Sequence, residues 1–215
     1  MSKQKKILVV TLGGTIESFY NPEEFTPEDV PLEDAADKTI IPQAMAKLGI
    51  TDACDFYPLA MRDSKKSDLS EFDTLVNHVK SQDYRRILVI EGTDRMAPHG
   101  VHLEQALKAA GLGDRQVVFT GAMGPLRDKD RKWREPSEDA QQNIEEKRDG
   151  WFNLRMAVHD LIRGTPDGVY MRMGREFWPV SRMTKDVDVD RTGLVNTVTA
   201  SGFRALAHRD SKGRK

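Results

Sequence analysis

With 215 residues, and 33 Lys and Arg against 34 Asp and Glu, the chain is long enough to bury one good core and has no overall pull toward nucleic acid or anionic lipid. It has no run near the ~18 apolar residues of a transmembrane helix. Its basic start is not followed by the long apolar run and cleavage site of a signal peptide, so a single cytoplasmic domain over residues 1–215 is expected. The one cysteine, Cys54, rules out an intramolecular disulfide; with no metal-type Cys or His spacing around it, it reads as a buried core thiol.

The chain opens on Ile7-Leu8-Val9-Val10-Thr11-Leu12, which runs directly into Gly13-Gly14-Thr15. This is the pattern of a buried parallel strand ending in a tight turn that displays Thr15. The spacing is neither the Gly-x-Gly-x-x-Gly of a dinucleotide site nor a P-loop. Residues 17–37 are polar, acidic and broken by Pro22, Pro27 and Pro31, which predicts a long lid-like loop, with Phe19, Tyr20 and Phe25 packing part of it. A short helix over 43–48 stops at Gly49, and a strand over 55–61 leads into Arg62-Asp63-Ser64. Leu69, Phe72, Leu75, Val76 and Val79 predict a helix over 68–80. A third strand over 86–90 ends in Glu91-Gly92-Thr93-Asp94, a helix over 102–110 stops at Gly111, and a fourth strand over 116–120 ends in Gly121-Ala122-Met123. Residues 127–148 are mostly charged and read as a solvated insertion. A helix over 152–162, a strand over 168–173 and a hairpin strand over 176–180 follow. The chain is polar beyond Lys185 and expected to fray at 210–215. Strands alternating with helices predict right-handed βαβ units and a parallel sheet covered on both faces.

Three strand ends present hydroxyl and acid groups: Gly14-Thr15, Asp63-Ser64 and Gly92-Thr93-Asp94. In a parallel sheet such ends are neighbours along one edge, where ligands bind. Any one of them reads equally as a turn or helix cap; together they argue for a site. Thr15 itself can be a nucleophile, a donor or a cap. A threonine hydroxyl needs a base and oxyanion donors, and a lysine kept neutral can be that base. His99 and His102 fall early in a helix and read as surface or packing residues. Acyl transfer by threonine, lysine and aspartate is the chemistry that suits this set.

These segments resemble the bacterial-type L-asparaginases. The likeness is carried by Leu12-Gly13-Gly14-Thr15-Ile16, Asp63-Ser64, Gly92-Thr93-Asp94-Arg95-Met96, Val117 to Pro125, Asp149-Gly150-Trp151-Phe152-Asn153-Leu154 and Thr184-Lys185, in family order. The resemblance implies a flavodoxin-like, doubly wound α/β domain that hydrolyses L-asparagine to L-aspartate and ammonia without cofactor or metal. It implies Thr15 as the nucleophile and Thr93, Asp94 and Lys185 as a second catalytic group. Ser64, with Asp63, would hold the substrate carboxylate, and Asp94 its ammonium. Gly14 and Gly92 would let the substrate approach the backbone, and the Ala122 carbonyl would face the departing nitrogen. Tyr20 is the candidate for the family's lid tyrosine, with a packing aromatic as the other reading.

Four departures stand out. Glu91 replaces a histidine, Lys65 follows Asp-Ser and could reinforce carboxylate binding or point to solvent, Gly124 stands where arginine is common, and the insertion at about 127–149 is longer than usual. The chain also ends near where the family's C-terminal domain would begin, and a homodimer or higher homo-oligomer is expected by analogy. Two other functions stay open: an amidase on glutamine or another amide, and a non-catalytic amino-acid-binding module or subunit that needs a partner. A small-molecule substrate is expected, with no nucleic acid and no membrane as partner.

Overall fold

The computed structural model describes residues 6–17, 39–127, 132–133, 149–185 and 203–205. Its frame is a six-stranded sheet in the order β2-β1-β3-β4-β5-β6, built from β1 (Ile7–Gly13), β2 (Cys54–Arg62), β3 (Arg86–Ile90), β4 (Gln116–Thr120), β5 (Gly168–Met173) and β6 (Glu176–Pro179). The first five strands run parallel and β6 returns antiparallel to β5. The order 2-1-3-4-5 is that of flavodoxin-like doubly wound folds, as expected.

Every residue of β1 is buried, which is what a central strand covered on both faces requires. Side chains alternate with a period of two. Leu8, Val10, Ile87, Val89, Val117 and Phe119 face one side, where they meet Phe72, Leu75, Val76 and Val79 of α2 (Leu69–Gln82) and Leu103 and Leu107 of α3 (Met96–Ala109). Ile7, Val9, Leu88, Ile90 and Val118 face the other. There they meet Ile41, Ala44 and Met45 of α1 (Ile41–Lys47) and Trp151, Leu154, Ala157, Val158 and Leu161 of α4 (Asp149–Arg163). Cys54 is buried and unbridged, and burial pushes its thiol up to about 11.

Predicted and observed elements differ mainly at their ends. Residues 86–90, 116–120 and 168–173 are strands over the expected spans. Helix α3 begins at Met96 rather than residue 102, because Pro98 falls in the first turn, where a missing N–H costs nothing. Helix α2 is capped by Asp68, whose side chain accepts from Ser70 N at 3.0 Å. Strand β6 ends at Pro179, and Val180 opens a single 3₁₀ turn, Val180–Arg182. The polar stretch past Lys185 contains a strand the sequence did not announce: β7 (Met183–Lys185) pairs antiparallel with β8 (Phe203–Ala205).

Trp133, inside the charged stretch, is half-buried against the core. Its ring lies 5.3 Å from that of Trp151, with the Arg127 guanidinium 4.3 Å above it. Among the described residues, no helix is long and apolar enough to cross a membrane.

Candidate active site

The chain leaves β1 for β2 on one side and then crosses back to β3 on the other, so the sheet order reverses between β1 and β3. The crevice outside the carboxyl ends of those two strands is where such a fold binds ligands. Gly13 and Gly14, the residues that turn the chain there, have φ of +88° and +81°, which any side chain would resist. Gly14 N donates to the Arg62 carbonyl at 3.0 Å, tying the end of β1 to the end of β2. Thr15 follows, half-buried, and the turn closes with Glu17 N donating to Gly14 O at 3.2 Å.

The other strand ends press against this turn through backbone. A Cβ on Gly14 would overlap the N and Cα of Gly92, and one on Gly92 would lie 2.8 Å from Ser64 Oγ. Three loops from β1, β3 and β2 are thus in direct contact, and the candidates Gly14, Thr15, Ser64, Gly92, Thr93 and Asp94 stand on them. Ser64 and Thr93 are buried, at 2 % and 8 % exposure. Asp63 begins a 3₁₀ turn over Ser64–Lys66 and accepts from Lys65 N at 2.9 Å. Thr93 Oγ1 donates to Met123 Sδ at 3.6 Å, which brings in the end of β4.

Lys65 is largely exposed, yet it reaches across to Asp94. Its Nζ lies 2.9 Å from Asp94 Oδ2, and this bond holds its pKa above the ordinary lysine value. Ala122 is buried on the loop after β4. Lys185 closes β7, but its side chain, like all of Tyr20, lies outside the described residues. Both β7 and the turn before it touch α3, whose first turn follows Asp94 directly.

Several structural partners of the site carried only weak sequence signals. Asp149 accepts from Met123 N at 3.1 Å and Gly124 N at 3.2 Å. Asn153, one turn further along α4, donates to Gly121 O at 2.9 Å and accepts from Gly174 N at 2.7 Å. Together they bracket the loop after β4. Burial raises the pKa of Asp149, while the two amides pull it back. The signal was present: two polar residues four apart on a helix whose other inward residues are apolar.

Glu91 is fully buried, pairs with His99 Nδ1, and is raised by burial against the opposing pull of His99. His99, read as surface or packing, is a buried packing residue that contacts Glu91 and lies 5.1 Å from the ring of Phe72. Glu17 is also buried; it accepts from Thr39 Oγ1, and burial pushes it up to about 7. Among the described residues, no group of three or more His, Cys, Asp and Glu could hold a metal ion.

Comparison with known proteins puts this arrangement in context. Comparison with curated proteins gave no match. Solved L-asparaginase structures are among those that share the fold. A probable cytoplasmic L-asparaginase from Campylobacter jejuni superposes with a TM-score of 0.64 at 17% identity, over 94% of this chain and 53% of that one. The thermostable L-asparaginase from Thermococcus kodakarensis gives a TM-score of 0.58 at 22% identity, over 93% and 51%. The chain thus spans about half the length of these structures, and at such identities the likeness is one of fold. The sequence carries the family itself: the model of the asparaginase N-terminal domain matches residues 6–208, so this chain belongs to the asparaginase family.

Proposed function

We propose that this chain is an amidohydrolase that releases ammonia from the side-chain amide of a small carboxylic acid, with L-asparagine as the reference substrate and Thr15 as the nucleophile. The observation that carries this reading is the contact between three strand-end loops at the switch point, which gathers Thr15, Ser64, Thr93 and Asp94. In the proposed reaction the Thr15 hydroxyl attacks the amide carbon and its proton passes to a neutral lysine amine, for which Lys185 is the candidate. The C–N bond then breaks, the proton leaves with ammonia, and water cleaves the threonine ester with Thr93 positioning it. Ser64 would hold the substrate carboxylate. The contact of β7 with α3, the helix that follows Asp94, supports Lys185 as a member of this group. Tyr20 would close the lid, Ala122 would offer its carbonyl to the leaving nitrogen, and Asp63 and Lys65 would line the carboxylate subsite. The reaction as written uses no metal or cofactor. One domain over residues 1–215, acting in the cytoplasm as a homodimer or higher homo-oligomer, completes the proposal.

A second reading, an amidase on glutamine or another amide, is favoured by one observation: the Lys65–Asp94 pair occupies the carboxylate expected to take the substrate's ammonium. Ammonia release from L-asparagine, L-glutamine and succinamate tests both readings. Thr15→Ala should lower kcat by about a thousandfold or more, with the fold retained by circular dichroism. Activity unchanged in Thr15→Ala would reject the nucleophile. Binding of amino acid with no turnover of any amide would indicate a binding module.

A further inference from the structure

We propose that Lys65 sets the specificity of the site, selecting small amides that carry a carboxylate and no α-ammonium. The inference rests on the proposed amidohydrolase reading and narrows its substrate class. Asp94 is the acidic group of the cluster on the loop that also carries Gly92 and Thr93. Its Oδ2 already faces an ammonium, that of Lys65, at 2.9 Å. A free α-amino acid would bring a second ammonium to the same carboxylate. It would have to displace Lys65 or bind beside a like charge, and like charges in a shared site oppose each other.

The pair is built into the backbone, so the lysine stem starts from a fixed place. Asp63 accepts from Lys65 N at 2.9 Å, Lys66 N donates to Asp63 O at 2.9 Å, and Ser67 N donates to Ser64 O at 3.2 Å. Ser64, next to Lys65, is buried against Gly92. Lys65 therefore leaves the turn beside the hydroxyl assigned to the substrate carboxylate and ends on Asp94. The carboxylate side of the pair is the more sheltered, with 27% of the Asp94 side chain exposed against 66% of Lys65. The hydrogen bond to Asp94 and its charge raise the Lys65 pKa above the ordinary lysine value.

A ligand with one carboxylate and an ω-amide suits this arrangement better than a zwitterion. Its carboxylate can reach the Ser64 hydroxyl and share the Lys65 ammonium, and it brings no cation to compete for Asp94. Succinamate is the simplest such molecule: asparagine without its amino group. Its hydrolysis breaks the amide C–N bond, forms a C–O bond with water, and yields succinate and ammonia.

The experiment separates this assignment from the amidase reading by measuring binding and turnover independently. Titration calorimetry of the full chain with succinate and with L-aspartate, the two product dicarboxylates, reads the subsite without requiring catalysis. The wild type should bind succinate about tenfold or more tightly than L-aspartate. Lys65→Ala should remove or reverse that preference, and Lys65→Arg should keep it. L-aspartate bound as tightly as succinate by the wild type, an unchanged ratio in Lys65→Ala, or binding of neither dicarboxylate would each overturn the proposal. Ammonia release from succinamate and L-asparagine is read separately. Succinate preference that depends on Lys65, with no ammonia from either amide, upholds the specificity assignment and rejects the amidase.

Discussion

Glu17 stands two residues after Thr15 with a carboxyl that burial has stripped of water. Its Oε1 accepts from Thr39, while Oε2 is buried with no hydrogen-bond partner among the described residues. Desolvation disfavours the charged form, and the pKa rises from 4.5 to about 7. The folded chain therefore holds this proton more tightly than the unfolded one. The stability this contributes is fully present below pH 4.5 and is lost as pH rises through about 7, on the order of 3 kcal/mol across that interval. Glu17→Gln keeps an acceptor for Thr39 and removes the titration. Urea unfolding at pH 5 and pH 8 should show a larger loss with pH in the wild type than in the variant, and equal losses would reject the assignment. None of this was visible in the sequence, where Glu17 is one acid at the start of an acidic loop. Its partner Thr39 stands twenty-two residues away in sequence, and no local pattern reports that. The residues that were legible, Thr15, Ser64 and Thr93, were so because each follows a strand ending in a turn.

At the scale of elements, α4 does two jobs at once. Its apolar face, from Trp151 to Leu161, covers one side of the sheet. Its first turns aim Asp149 and Asn153 at the ends of β4 and β5. Asn153 is fully buried, and its amide spans Gly121 O and Gly174 N. Asn153→Ala would leave both backbone groups without that partner in a buried place, at about 1–3 kcal/mol for a group left unsatisfied. We expect a loss of about 2–4 kcal/mol in chemical denaturation; a loss under about 0.5 kcal/mol would show that other groups take over. Element identity was readable here from helical periodicity over 152–162, but the start was not. The first turn, at Asp149, is held by bonds from Met123 N and Gly124 N, distant in sequence, and in α3 the first turn was hidden by Pro98.

Across the whole molecule, the alternation of buried strands and helices was enough to predict a parallel sheet covered on both faces, because period two and period 3.6 differ over even short runs, while the doubly wound order was implied by the family resemblance. The strand order is not local information. It follows from β1 lying between β2 and β3, and that in turn depends on loops close enough to touch. Gly92 is where this is tested most sharply. Its position over Ser64 joins the ends of β3 and β2, while Gly113, on a surface turn, has only Lys108 Cγ near where a Cβ would lie, at 3.7 Å. Gly92→Ala must push Ser64 away or shift the β3 loop, an overpacking cost of about 1–3 kcal/mol. In a chain of this length that lowers Tm by roughly 2–12 °C. Gly113→Ala, with room for its methyl group, should change Tm by no more than about 2 °C on the same scale. Because the displaced group is the hydroxyl assigned to the substrate carboxylate, Gly92→Ala should also weaken succinate binding, and Gly113→Ala should leave it unchanged. Equal effects of the two substitutions on Tm and on binding would mean that the strand ends are not held together by this contact, and the site would then have to be assembled some other way.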